Sequence, residues 1–163
     1  MKGGEKSQDK VTNLLRRTIE ARIAGPLIQG FVKEFGKEKT LSVVKEVIDS
    51  LAMETGIQAA RVAKGKTLKD FADVMFPIWS EDDALKMEIL ERSERKLSFK
   101  ILRCRYAEMY KEEGIPEFGF YLSCIRDFPI AEGFNSNIRL HRPQTIMEGS
   151  SHCIFEYVIE GNE

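Results

Sequence analysis

The side chains able to do chemistry crowd into the last third of this chain: Cys104, Glu117, Cys124, Asp127, Arg139, Arg142, His152 and Cys153. Three thiols and an imidazole are in principle enough for a tetrahedral zinc-like site. The spacing does not mark one, because the cysteines stand roughly 20 to 30 residues apart and no C-x-x-C pair occurs, whereas a structural site draws ligands in pairs two to four residues apart. No cofactor is therefore expected, and a zinc-like ion remains an open alternative. Cys124 or Cys104 could instead be a nucleophile, provided a cation such as Arg126 or His152 lowers the thiol pKa. The plain alternative is packing, since free cysteine is among the most buried residue types. Asp127 follows Cys124 by three residues, which puts the two on one face of a helix. His152 and Cys153 open a strand, where neighbours point to opposite faces.

The elements that must position these groups follow from apolar periodicity. Leu14, Leu15, Ile19 and Ile23, then Leu41, Val44, Val47, Ile48 and Leu51, recur at three and four, which predicts two helices between Val11 and Lys64. Gly36 is the expected stop of the first and Gly65 of the second, and Pro26 should kink or break the first midway. A third helix is expected from Thr67, a workable cap, up to Pro77. The period then becomes two. Leu85, Met87 and Ile89 alternate with charges, and Leu97, Phe99 and Ile101 alternate with Ser98 and Lys100 after the polar "ERSERK", which predicts an antiparallel hairpin. Helices are expected from Tyr106 to Gly114 and from Pro116 to about Gly133, then strands through Ile138–Leu140 and Cys153–Ile159. The fold class is α+β: N-terminal helices followed by ββααββ, with an antiparallel sheet of about four strands covered by helices. Residues 1–163 read as a single domain, with a helical part over 11–80, an α+β part over 84–160, and a flexible start over 1–10.

Bulk properties narrow the partners. Lys and Arg number 25 against 26 Asp and Glu, a net charge of -1, so no global field attracts nucleic acid. The N-terminal stretch lacks the apolar run of a signal peptide and no window approaches a membrane span, so a cytoplasmic protein with no membrane partner is expected. Its cysteines are then expected to be reduced. A small-molecule substrate or ligand is the expected partner, with a homo-oligomer left open.

Read together, these positions resemble a family. From Arg103 to Tyr157, about a third of the chain, the order Cys104, Tyr106, Ala107, Glu108; Gly114, Pro116, Glu117; Cys124, Asp127; Gly133, Phe134, Asn135; Arg142, Thr145; Gly149, His152, Cys153, Phe155 is similar to the C-terminal signature of the L-2-amino-thiazoline-4-carboxylic acid hydrolases. The chain departs from that pattern in having Arg105 where the family tends to have Pro, and Ile154 and Glu156 where it usually has Asp and Arg. A shorter likeness, confined to the Gly-turn-Cys-x-Phe ending, is to 4-vinyl-reductase-like ligand sensor domains, some of which hold zinc through cysteines.

The resemblance implies hydrolysis of a small cyclic amidine bearing a carboxylate, opening a thiazoline ring to a carbamoyl-cysteine-type product. It implies catalytic roles among Asp127, Cys124, Cys104, Cys153 and His152, with Asp127 the first choice of base, and substrate binding by Arg142 and Tyr106. Arg142 is then the carboxylate clamp. The rival reading is a sensor-like domain that binds a small molecule or a metal without chemistry. On either reading Cys104, Cys124, Asp127 and Cys153 are expected to converge on one cavity where the sheet meets the later helices. The helices over 11–75 are expected to supply apolar wall.

Overall fold

The structure, a computed structural model, describes residues 11–161; the flexible start expected over 1–10 lies outside them. Helix α1 (Asn13–Phe35) begins where the Thr12 hydroxyl accepts the Leu15 N–H at 3.3 Å and ends at Gly36, whose φ of +86° only glycine adopts without strain. Helix α2 (Lys37–Val62) turns back along it, and α3 (Leu68–Trp79) follows. Thr67 and Asp70 close a reciprocal cap at the start of α3, and the Thr67 hydrogen bonds hold the Asp70 carboxyl below its ordinary pKa.

Strands β1 (Leu85–Arg92) and β2 (Lys96–Cys104) form the expected hairpin. Three short helices come next: α4 (Arg105–Glu112), α5 (Pro116–Leu122) and α6 (Asp127–Phe134). Strands β3 (Ile138–His141) and β4 (Cys153–Ile159) complete an antiparallel sheet in the order β1-β2-β4-β3. The α+β class read from the sequence is the class observed.

Four expectations give way, the smallest being the end of α3, which runs through Pro77 to Trp79. α1 runs unbroken through Pro26, because Ala21, Gly25 and Ile28 are buried on either side of it and packing outweighs the one hydrogen bond that proline removes. α2 stops at Val62 on an extended Ala63 rather than at Gly65, which lies in the following loop against Asp70. The single helix expected from Pro116 to Gly133 is two. Ser123 leaves the helical region at φ −125° and ψ −63°, and a 3-10 turn over Cys124–Arg126 redirects the chain before α6.

Leu97, Phe99 and Ile101 of β2 and Cys153, Phe155 and Tyr157 of β4 face inward and are buried. Phe99 stacks on Phe155 at 4.7 Å between ring centres, while Phe71 of α3 meets Tyr157 at 5.4 Å and Phe134 of α6 at 5.2 Å. α6 is pressed between this core and α2 by two glycines. A Cβ on Gly56 would sit 2.2 Å from the Ile130 carbonyl oxygen, and one on Gly133 would sit 2.3 Å from that of Met53. Neither contact can relax without moving a backbone, so Gly56→Ala and Gly133→Ala should each cost about 2 kcal/mol or more of stability in urea unfolding. A loss under about 0.5 kcal/mol, the range of a surface change, would mean that the two helices have room between them.

Candidate functional site

The site is built where the ends of several elements meet. Cys104 ends β2, Cys124 opens the 3-10 turn, Asp127 starts α6, Arg142 follows β3 and Cys153 starts β4. All five line one partly enclosed cavity of about 90 Å³. Tyr106 of α4 and the apolar side chains of Trp79, Leu85, Phe99, Ile101, Ile130 and Phe155 share its wall. Cys104, Cys124, Asp127 and Cys153 thus come together, as do the binding candidates Arg142 and Tyr106. His152 does not. Strand alternation carries Cys153 inward and leaves the His152 ring by the turn, with Nδ1 2.9 Å from the exposed Ser151 hydroxyl. Glu117 and Arg139 also lie outside the cavity, Arg139 pairing with Glu160 at 3.1 Å.

At the centre is a buried ion pair. Arg142 donates from Nη1 to the Asp127 carboxylate and to the Cys124 carbonyl, the latter at 2.6 Å, and its side chain is only 2% exposed. Its guanidinium carbon stands 4.9 Å from the ring centre of Phe128, 5.6 Å from that of Phe155 and 5.7 Å from that of Phe120, a cation–π cage. Its Nε is buried with no hydrogen-bond partner among the described residues. This is not the surface arginine that base rates favour. Burial pushes the Asp127 carboxyl up to about 6, against the opposing pull of Arg142.

Two cations that the sequence reading did not single out as ligand contacts complete the wall. Arg126 donates from Nε to the Leu122 carbonyl at 2.7 Å and lies 3.6 Å from Glu20; burial lowers its pKa to about 10. Arg17 reaches the cavity from α1 and pairs with the same Glu20. Asn13, also on α1, donates from Nδ2 to the Tyr106 hydroxyl at 2.7 Å, and that hydroxyl donates to the Trp79 carbonyl at 3.1 Å. The N-terminal helices therefore supply polar groups and not only apolar wall. The signal available was that Asn13 and Arg17 sit one turn apart on α1, a polar stripe along its buried side.

The thiols are poorly suited to nucleophilic attack. Burial pushes Cys104 up to about 11, raises Cys124 well above its ordinary value and raises Cys153. Asp127 adds to the rise at Cys124, and the cations nearby do not reverse it. Cys153 Sγ accepts the Ile146 N–H at 3.2 Å. Among the described residues no group of three or more His, Cys, Asp or Glu side chains is arranged to hold a metal ion. Ile154 and Glu156 lie on the face of β4 opposite Cys153 and Phe155, with Glu156 3.9 Å from His141, so the two departures there do not line the cavity.

An inner-facing antiparallel sheet, helices pressed onto it and an arginine-lined pocket between them make an α+β fold with a small internal site. The model of the L-2-amino-thiazoline-4-carboxylic acid hydrolase family matches residues 16–157, and the chain belongs to that family. The match takes in α1 and α2 as well as the C-terminal signature. The fold is also similar to a crystal structure of the phenol-responsive sensory domain of the transcription activator PoxR with phenol. That likeness has a TM-score of 0.58 at 10% identity and covers 85% of this chain and 74% of that one. No curated protein matches the chain in sequence. No described helix is long and apolar enough to cross a membrane.

The raised carboxyl has a consequence for stability. Because the folded pKa of Asp127 exceeds its ordinary 3.8, its protonation favours the fold below that ordinary value, and this contribution is lost as pH rises through about 6. Stability relative to Asp127→Asn, which cannot titrate, should therefore improve by about 1 kcal/mol between pH 8 and pH 5 in urea unfolding. A difference that stays flat across that range would place the Asp127 pKa at its ordinary value.

Proposed function

We propose that the cavity hydrolyses a small cyclic amidine carrying a carboxylate, of the 2-amino-thiazoline-4-carboxylate type. The observation that carries the reading is a buried carboxyl with a pKa near 6 facing a cavity whose walls hold Arg17, Arg126 and Arg142. Even with Glu20 counted alongside Asp127, the guanidinium groups are in excess by one. A ligand carboxylate completes that balance.

Asp127 is the general base. At neutral pH it is mostly ionised, yet its pKa is high enough to hold a proton in transit. The oxygen of a water bonds to the amidinium carbon while one of its protons passes to Asp127. The carbon–sulfur bond then breaks, and the departing thiolate takes that proton back from Asp127. The second water proton goes to solvent as the carbonyl forms, which leaves a carbamoyl product with a free thiol. Arg17 and Arg126 bind the substrate carboxylate. Arg142 positions Asp127 through Nη1 and keeps Nε for the ligand, and Tyr106, fixed by Asn13 and Trp79, orients the ring. The protonated thiols of Cys104, Cys124 and Cys153 shape the pocket rather than attack.

A second reading has its own support. Un-ionised thiols in a largely apolar pocket, on a fold similar to that of a sensory domain, suit a domain that binds a small molecule and does no chemistry. The two readings separate in one assay of thiol release from 2-amino-thiazoline-4-carboxylate. Turnover is expected, with kcat/KM rising through pH about 6. Asp127→Asn should lower kcat by about a hundredfold or more, and Arg126→Gln should act mainly on KM. Calorimetric binding of the compound without turnover at any pH would establish the ligand-binding reading instead.

A further inference from the structure

The outer face of the α1–α2 hairpin is apolar where a lone chain would be polar. Every fourth residue of α1 from Leu15 to Phe35 is a large apolar side chain, and Val43, Val47 and Leu51 repeat that spacing on α2. All are between 47% and 62% exposed. The inner side of α1 buries only Ala21, Gly25 and Ile28 over 23 residues. A helix that is apolar on two sides is built to be covered on two sides. Of the exposed residues, Leu27, Phe31, Phe35, Val43 and Val47 line a groove of about 440 Å³ floored by Ile28, Thr40, Ile48 and Leu122.

We infer that this face is the interface between two copies of the chain, joined about a two-fold axis into a four-helix layer. Three observations select a second copy as the occupant. The five side chains that line the groove expose roughly 500 Å² per copy, or about 1,000 Å² for a pair, the size at which a specific interface begins. The rows at i±4 on both helices are self-complementary, since such ridges pack into the grooves of an identical surface. The charge of α2 is also divided. Residues 37–45 carry Lys37, Lys39 and Lys45 against Glu38 alone, whereas residues 46–54 carry Glu46, Asp49 and Glu54 and no cation.

An antiparallel two-fold lays the basic half of one α2 over the acidic half of the other. Gly25 and Val47 are equally far in sequence from Gly36, so an axis between them centres both apolar rows. That axis brings Lys39, at the end of the α2 row, near Glu54 of the second copy. Arg17 and Asn13 of the cavity wall ride on the same α1, so pairing clamps the helix that completes the site.

Sedimentation velocity of the full chain should give twice the 18.6 kDa chain mass. Phe31→Asp should give a monomer with unchanged far-ultraviolet circular dichroism. Should Phe31→Asp fail to fold, the surface pair decides: Lys39→Glu should weaken the dimer about tenfold or more, and adding Glu54→Lys to it should restore the wild-type association. A wild-type chain that stays monomeric overturns the inference, whether or not it binds anionic lipid vesicles. A dimer unmoved by both Phe31→Asp and Lys39→Glu overturns it as well.

Discussion

The Asp127–Arg142 pair is the interaction around which the cavity is organised. Removing both charges from water costs several kcal/mol per ion, and their attraction repays this only where the remaining hydrogen-bonding capacity is also met. Here Arg142 meets part of it through the Cys124 carbonyl and three aromatic faces. One donor, Nε, is buried with no hydrogen-bond partner among the described residues, so its desolvation is uncompensated. The pair also joins segments far apart in the chain. It ties the first residue of α6 to the segment leaving β3, and so fixes the gap between the helical layer and the sheet.

The height of that gap is set on the other side of α6. Gly56 and Gly133 let α2 and α6 approach until backbone meets backbone, so α6 cannot rise away from the sheet. Its first residue is Asp127, and the position of the carboxyl is therefore an outcome of helix packing some distance from the site. The break at Ser123 serves the same end. A continuous helix from Pro116 would carry Cys124, Arg126 and Asp127 around its circumference at 100° steps. The 3-10 turn instead directs Cys124, Arg126 and Asp127 into one space, with the Arg126 Nε returned to the Leu122 carbonyl.

Much of this was legible in the residues, and what was not has physical causes. Alternation in β2 and β4 identified the inward set, because period two is a local property that a buried face enforces. Gly36 and Gly114 announced their stops through positive φ, at +86° and +72°. Pro26 and the 116–133 segment were misjudged because a proline or a serine reports a local preference, while the outcome depends on what the helix packs against. In the site, the cysteines and Asp127 drew notice as element ends carrying reactive groups. Arg17 and Asn13 did not, since a polar residue on an amphipathic helix reads as solvated until the neighbouring fold covers it. Arg142 was read as a carboxylate clamp. Its tie to Asp127 spans a loop and a sheet edge, which no spacing in the sequence encodes.

The thiols bear on what such a cavity can admit. A thiol held protonated by burial is small, weakly polar and inert, a lining that admits an apolar ring and offers it little hydrogen bonding. Cys104, Cys153, Phe99 and Ile101 give the cavity apolar wall, and Arg17, Arg126, Arg142 and Asp127 give it charge. A ring bearing a carboxylate offers both kinds of surface. What separates a hydrolase from a sensor on such walls is whether a water can stand between Asp127 and the ligand. In a cavity of about 90 Å³ that depends on a few ångströms of ligand position. The height of α6 above the sheet, set by the close approach at two glycines, thus bears on whether Asp127 meets a water or only a ligand.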